Sequence, residues 1–93
     1  MRDGRDKKGI LERTAELFDL PGEALAGLPR IVMTGNRRLH IEGHRGILEY
    51  GGEFIAINCG AVILKLYGES LEIVSMNAEE LLITGFVHKF EFE

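Results

Sequence analysis

Glycines recur through most of the chain at a spacing that leaves room only for short extended segments. From residue 30 onward they stand about eight or nine residues apart, with Asn77 in the one long gap. The glycines that keep this spacing are at positions 35, 43, 51, 52, 60, 68 and 85. Apolar residues alternate with others just before several of them, as in RIVMTG, VILKLYG and LLITG. Each such segment is typical of a β-strand that ends in a turn.

This rhythm predicts an all-β domain over residues 30–93, a small antiparallel β-sandwich of about eight short strands. No connection is long enough for the crossover helix that parallel strands require. The separations of 16 and 17 residues between Gly52, Gly68 and Gly85 also fit a short β-solenoid or roll. Bulky, irregular apolar positions favour the sandwich, because a solenoid stacks uniform ladders.

Alternation within the segments predicts which side chains share a face. Near the C-terminal end, Phe86, His88, Phe90 and Phe92 occupy every second position, so we expect them on one face of a strand. His88 is then expected to be a hydrogen-bonded histidine in the core or at a strand edge. Segments such as EFIAIN carry apolar groups on both faces, and we expect the second face to be covered by a helix or by a partner.

The N-terminal region has a different pattern. Residues 1–8, MRDGRDKK, are polar, and we expect a disordered tail. Residues 9–29 are predicted to be a helical leader, limited by Pro21 to a helix that ends at about Leu20. Such a short helix must pack on the β domain or on a partner to be stable. The residues of its apolar face recur at spacings of three and four: Ile10, Leu11, Thr14, Leu17 and Phe18.

Charge and cysteine usage restrict the location and the partners. The net charge is −4, with the acidic excess in residues 46–93, which argues against a nucleic-acid partner because phosphate binding needs a dominant basic face. The single cysteine, Cys59, excludes an internal disulfide. No apolar run approaches the roughly 20 residues that cross a bilayer. We therefore expect a cytoplasmic protein.

The residues that could carry chemistry do not form a recognisable catalytic or metal motif. The three histidines lack the close, paired spacing of zinc ligands, and Cys59, expected to be a half-buried turn thiol, has no neighbouring base. We expect no enzymatic activity, no metal and no cofactor. One alternative stays open, a small ligand-binding or enzymatic β domain that uses Glu42, His44 and Arg45 of the segment EGHRGILEY.

One local excess of positive charge is the candidate partner-binding surface. It comprises two histidines and three arginines, namely Arg37, Arg38, His40, His44 and Arg45. We expect it to bind a partner together with Leu17 and Phe18 of the leader. The competing interpretation is a charged strand edge that discourages accidental strand pairing.

Four segments together resemble one known family: LPRIVMTGN, LHIEGHRGILEY, FIAINCGAVILKLYGESLEI and MNAEELLITGFVHKFEF. The resemblance is to the YabP/YqfC family of sporulation proteins, closest to the YqfC branch, and it extends from Leu17 to Phe92. Gly43 stands where the family commonly has asparagine, and both residues suit a left-handed turn position.

This resemblance implies a non-enzymatic role in endospore formation. Members are small cytoplasmic proteins of the mother-cell programme, and the YqfC type is encoded beside a larger membrane protein, YqfD. We therefore expect binding to a membrane-embedded, YqfD-like sporulation protein, which would hold this chain at the forespore membrane. Self-assembly into a spore layer, as a homo-oligomer, is the structural alternative.

Overall fold

The computed structural model describes residues 27–93, and this part of the chain is an antiparallel β-sheet without helices. Its strands are β1 (Arg30–Thr34), β2 (Arg38–Glu42), β3 (Ile47–Tyr50), β4 (Phe54–Asn58), β5 (Ile63–Met76) and β6 (Glu80–Phe92). They are ordered β1-β2-β6-β5-β4-β3, and every pairing is antiparallel. The predicted all-β class is confirmed. The predicted tail and most of the predicted leader, with Leu17 and Phe18, lie outside the described residues.

The described sheet has six strands, fewer than predicted, because two predicted turns lie inside strands. Gly68 is within β5 and Gly85 is within β6, and the two strands approach each other closely there. A Cβ atom at Gly85 would lie 2.6 Å from the carbonyl oxygen of Ser70, and one at Gly68 would collide with the carbonyl oxygen of Phe86. Glycine is needed at these positions because the two backbones touch. Both strands continue through Gly68 and Gly85, where turns had been predicted.

The sheet bends where Gly68 and Gly85 lie, and it folds over on itself there. The backbone N–H of Gly43 donates to Glu79 at 2.7 Å, and that of Arg45 donates to Asn58 at 2.6 Å. Asn58 lies beside the far end of β6. It pairs with Ile63, and the backbone of Ile63 also bonds to Glu93, which directly follows β6. A straight β6 would hold its two ends about 40 Å apart, yet Gly43 and Arg45 are separated by one residue. The two ends of the long strands are therefore brought together.

This folding creates two facing half-sheets. The first half-sheet contains β1, β2 and the adjoining residues 71–76 and 80–84. The second contains β3, β4 and the adjoining residues 63–67 and 87–92. Their facing layers correspond to the predicted sandwich, built from one continuous sheet. The buried side chains of both half-sheets form one core cluster: Leu39, Ile41, Ile55, Ile57, Cys59, Leu64, Leu66, Leu71, Leu81, Ile83 and Val87.

The last strand changes face at His88. Gly68 pairs with Val87, and Tyr67 pairs with Lys89, which leaves His88 as an extra residue in β6. An extra residue of this kind is a β-bulge, and it inverts the alternation of the residues that follow.

The bulge puts Phe90 and Phe92 on the core-facing side of β6. Phe90 pairs with Leu66 and Phe92 pairs with Leu64, and both leucines are fully buried. Residues directly opposite each other in antiparallel strands share a face. Phe86 precedes the bulge, next to the buried Val87, and lies on the outer face. The prediction that the phenylalanines share one face with His88 is therefore wrong.

His88 also lies on the outer face, not in the core. Its Nε2 is 3.0 Å from Oε2 of Glu69, and both side chains are more than half exposed. The expected core or edge histidine followed from an unbroken alternation, which the bulge interrupts.

Side chains of the sheet itself supply part of the cover that the outer face of β4 requires. Ala56 is 4% exposed, and its cross-strand partners are Glu49 and Lys65, whose long side chains can lie over it. Phe54 contacts Tyr67, with ring centroids 5.0 Å apart. Across residues 27–93, no helix is long and apolar enough to cross a membrane.

Candidate functional site

His44 lies where the two half-sheets join, and it is buried with 6% of its surface exposed. Its Nε2 lies 2.8 Å from the carbonyl oxygen of Asn77, and its Nδ1 accepts the backbone N–H of Gly46 at 3.1 Å. Because Nδ1 accepts a hydrogen bond, the donating hydrogen is on Nε2, and both ring nitrogens have a partner. The ring therefore ties the β5–β6 turn to the start of β3.

The turn that His44 binds is itself held by Asn77. The Asn77 Oδ1 accepts the backbone N–H groups of Glu79 at 2.9 Å and Glu80 at 2.7 Å. The Asn77 backbone N–H donates to Glu80 at 2.9 Å. An asparagine that bonds the backbone two residues ahead is a common turn device. The predicted break at Asn77 is thus a turn, and His44 bonds to a carbonyl group whose position is held by the hydrogen bonds of that turn.

The residues beside His44 give the connector its shape. Gly43 has φ 90° and Gly46 has φ 118°, conformations that side chains rarely tolerate. The turn predicted at Gly43 is confirmed. The segment EGHRG is therefore a connector between half-sheets, with its histidine directed inward.

Glu42, His44 and Arg45 contact different neighbours. The Glu42 carboxylate accepts from Arg30 at 2.7 Å. The exposed Arg45 side chain lies across Gly60, where a Cβ atom would be 3.0 Å from its Nε. Both nitrogens of His44 are bonded, one to Asn77 of the β5–β6 turn and one to Gly46 of the connector. The structure thus does not gather the three side chains of the enzymatic alternative around one point.

A second feature lies at the opposite end of β2, beside the bend. The guanidinium of Arg37 lies over the ring of Phe86, 4.2 Å from its centroid, and both side chains are exposed. The Arg37 carbonyl accepts the backbone N–H of Gly85 at 3.2 Å, which holds the two residues together. Arg38 is also exposed and pairs with Thr84. We call Arg37, Arg38 and Phe86 the Arg–Phe surface.

The predicted basic surface is therefore divided along β2. His40 lies between its ends on the outer face, with Nε2 2.9 Å from Oε1 of Glu80. The five residues of β2 extend about 17 Å. Arg37 and Arg38 lie at one end, and His44 and Arg45 lie beyond the other. The structure brings Arg37 and Arg38 together with Phe86, an aromatic neighbour that the sequence analysis did not assign to this site.

Polar side chains on the outside of the second half-sheet form a small network. Lys65 donates to Glu93 at 2.6 Å, and the Tyr67 hydroxyl donates to Glu91 at 2.8 Å. The hydrogen bond to Glu93 raises the pKa of Lys65, and the hydrogen bond to Glu91 raises the pKa of Tyr67. The Lys89 ammonium lies 4.9 Å from the centre of the Tyr67 ring. Nothing in the spacing of these residues pointed to this network, because it depends on cross-strand register.

Cys59 belongs to the core and not to a site. It is fully buried, more than the half-buried turn thiol that was predicted, and burial raises its pKa. A thiol becomes a nucleophile only as the thiolate. Within the part of the chain that the structure describes, no group of three His, Cys, Asp or Glu residues is placed to hold a metal ion.

These features define a small folded-sheet protein in which the buried His44 joins a turn to a connector and an arginine–phenylalanine pair lies exposed. The family model of the YabP family matches residues 27–93. The chain belongs to the YabP family and is therefore a sporulation-related protein, as the resemblance implied.

Two relatives of known sequence are similar to the chain. The uncharacterized protein YqfC of Bacillus subtilis (strain 168) is 25% identical over 84 residues, which cover 90% of each chain. The nucleoid-associated protein slr1847 of Synechocystis sp. (strain ATCC 27184 / PCC 6803 / Kazusa) is 32% identical over 73 residues. That match covers 77% of this chain and 64% of the relative. No solved structure matches the chain.

Proposed function

We propose that this chain is a non-enzymatic sporulation protein that acts in the mother cell by binding a membrane-embedded, YqfD-like partner. Family membership and the similarity to YqfC support the sporulation role. The observation that carries the binding role is the Arg37 side chain stacked on Phe86, with 43% of the Phe86 surface exposed. Arginine and large aromatic residues supply a large share of the binding energy in protein interfaces.

The Arg–Phe surface is suited to binding because it is already ordered. The Phe86 backbone lies inside β6, the Arg37 carbonyl accepts the backbone N–H of Gly85, and the Arg37 guanidinium lies over the Phe86 ring. A side chain that is fixed before binding loses less conformational freedom in the complex. The exposed ring can then bury its free face against a partner while the guanidinium donates to it.

The chemistry of this surface indicates the kind of segment it binds. Arg37 and Arg38 favour a carboxylate, and Phe86 favours an apolar neighbour, so the partner segment should combine an acidic residue with an apolar one. Such a segment next to the membrane in the YqfD-like partner would hold this chain at the forespore membrane. Binding through a partner requires no membrane-spanning element in this chain.

The role is tested by deleting the gene in its host and following sporulating cells by microscopy. We expect a sporulation defect that is restored by the native gene and by Lys89→Ala, but not by Arg37→Ala or Phe86→Ala. Lys89 is the matched control because it is an exposed cation on the other half-sheet. Normal sporulation in the deletion strain, or full restoration by all three variants, would refute the proposal.

Self-assembly into a spore layer is a second candidate, favoured by the edge strand β3. This strand is at the end of the sheet, and its Leu48 and Tyr50 are 56% and 54% exposed. Unpaired edges with apolar side chains can add strands from another copy. Concentration-dependent assemblies in size-exclusion chromatography and electron microscopy, abolished by Leu48→Lys, would support this candidate. A stable monomer at all concentrations would remove it.

The name of the Synechocystis relative connects that protein with the nucleoid, but we do not propose a nucleic-acid partner for this chain. Acidic residues outnumber basic ones in residues 27–93, and the whole chain has a net charge of −4. Neutralising phosphates requires a dominant basic surface. A gel-shift experiment at low salt should detect no complex with plasmid DNA, and a salt-sensitive complex would contradict this part of the proposal.

A further inference from the structure

An apolar groove opens along one side of the folded sheet, between β1 and the C-terminal part of β6. It has a volume of about 480 Å³, and Met33, Asn36, Val87 and Phe90 are among the residues that line it. The backbone N–H of Val87 donates to the carbonyl oxygen of Asn36 at 2.8 Å, and both residues line the groove. Beyond this bond, β6 continues to Phe92 while β2 pairs only with residues 80–84.

The walls of this groove are continuous with the core. Ile31 and Met33 of β1 are partly buried and pack against the core cluster. On the β6 side of the groove, Phe90 is next to Phe92 on the core-facing side of the strand, and their ring centroids are 6.1 Å apart. Nevertheless these two side chains remain 49% and 53% exposed. Two adjacent core-facing phenylalanines that are half exposed indicate that the groove has an occupant.

We propose that residues 10–20 of this chain lie along the groove as an amphipathic helix and complete the core. The apolar residues of this segment recur with helical spacing, and Leu17 and Phe18 are central among them. A helix of this length is about 16 Å long. The stretch of β6 from Val87 to Phe92 is about 17 Å long, so one such helix spans the exposed phenylalanines.

The chain enters the described structure at a place from which this segment can reach the groove. The main chain at Leu28 and Pro29 passes Gly43, where a Cβ atom would lie 3.6 Å from the Pro29 Cα. Pro29 directly precedes β1, one wall of the groove. Residues 21–28 can extend over about 26 Å. This exceeds the roughly 17 Å length of β1, so the helix can reach either end.

The inference does not depend on the proposed partner, and it changes the expected role of two residues. Leu17 and Phe18 were expected to bind a partner directly. With the helix in the groove they bury against Phe90 and Phe92, and they affect partner binding only by completing the domain.

The native chain contains no tryptophan, so single tryptophans report the position of the leader in the purified full-length protein. In Phe18→Trp the indole should emit at shorter wavelength and be protected from acrylamide quenching. Glu16→Trp, on the opposite helix face, is the control and should be quenched freely. Equal quenching of both indoles would overturn the proposal.

A second substitution in the Phe18→Trp protein tests whether this groove is what protects the indole. Phe90→Glu should make the protected indole accessible to acrylamide. If Phe90→Glu does not fold, the milder Met33→Ser should have the same effect. Phe86→Glu is the matched control, because Phe86 is a half-exposed phenylalanine of the same strand on the outer face. Release by Phe86→Glu alone, or loss of protection on dilution, would overturn the proposal in favour of another surface or a second copy. The partner protein is absent throughout, so failure of this test is distinct from failure of the proposed function.

Discussion

The Nε2 of His44 donates a hydrogen bond to the carbonyl oxygen of Asn77 across 2.8 Å, and this bond joins the connector between the half-sheets to the turn between the two long strands. The histidine is the buried polar residue among the described core positions. Its two nitrogens have one partner each, Asn77 in the β5–β6 turn and Gly46 in the connector directly before β3. A residue in one of the segments that resemble the sporulation family therefore acts in the folding of the sheet.

Replacing His44 by alanine should destabilise the protein. His44→Ala leaves the Gly46 N–H and the Asn77 carbonyl without their partner, and an unsatisfied buried group costs about 1–3 kcal/mol. We expect the free energy of unfolding, measured with urea, to fall by about 2 kcal/mol or more. His88→Ala is the control, because its exposed pair with Glu69 is worth about 0–1 kcal/mol. Equal stability of the two variants would contradict the role of His44.

The glycines at the bend should not tolerate alanine. In Gly85→Ala the new Cβ would meet the Ser70 carbonyl oxygen, and φ at this position is 135°. Crowding of a packed backbone together with positive φ should cost about 3 kcal/mol or more. Gly52→Ala is the control, since no atom outside its chain neighbours lies within 4 Å of its Cβ position. Circular dichroism during thermal unfolding compares them, and a native-like Gly85→Ala would show that the strands do not cross closely.

Cys59 should react slowly with alkylating reagents in the folded protein. Burial raises the pKa of its thiol, so at a given pH the thiolate fraction is lower than in the unfolded chain. We expect iodoacetamide at about pH 8 to label Cys59 far faster in urea than in buffer. Mass spectrometry measures both rates. Equal rates would place the thiol at the surface.

Stability should decrease at alkaline pH. The folded-state pKa values of Cys59, Lys65 and Tyr67 are all raised, so the folded protein binds these protons more tightly than the unfolded chain does. Their contribution is fully present below the unfolded-state pKa values and is lost as the pH rises through the folded-state values. The urea midpoint should therefore fall between about pH 8 and pH 11.

The contribution of Tyr67 to this loss can be separated. Tyr67→Phe removes both the titrating hydroxyl and its bond to Glu91. This variant should have a lower urea midpoint than the native protein at neutral pH and should lose less stability at alkaline pH. An identical pH dependence in the two proteins would show that the Tyr67–Glu91 bond does not contribute.

The glycine spacing was sufficient to predict the fold class but not the continuity of the strands. The turns at Gly35, Gly43, Gly60 and Asn77 follow from local residue preferences. The residues around Gly68 look like those of these turns, yet Gly68 lies inside a strand. Glycine is required there because the backbone of Phe86 in the neighbouring strand leaves no room for a Cβ atom. A contact between residues distant in sequence leaves no signal in the spacing of one segment.

The candidate sites, like the fold, could be predicted only in part from the sequence. Arg37 stood out as a charge in the sequence, but its position over Phe86 depends on the fold at the bend. The bulge at His88 is invisible in the alternation, and it puts Phe86 and Phe90, which were expected on one face, on opposite faces of the strand. His44 could be assigned to a turn from its flanking glycines, whereas its bond to Asn77 could not.

The central claim is that the Arg–Phe surface binds a membrane-embedded, YqfD-like partner, and copurification tests it most directly. The tagged protein is expressed in sporulating cells, and the amount of the YqfD-like protein that copurifies from detergent-solubilised membranes is measured. We expect recovery with the native protein and with Lys89→Ala, and a loss of at least about tenfold, equivalent to 1.4 kcal/mol of binding free energy, with Arg37→Ala or Phe86→Ala. Equal recovery with all four proteins, or no recovery with the native protein, would contradict the claim.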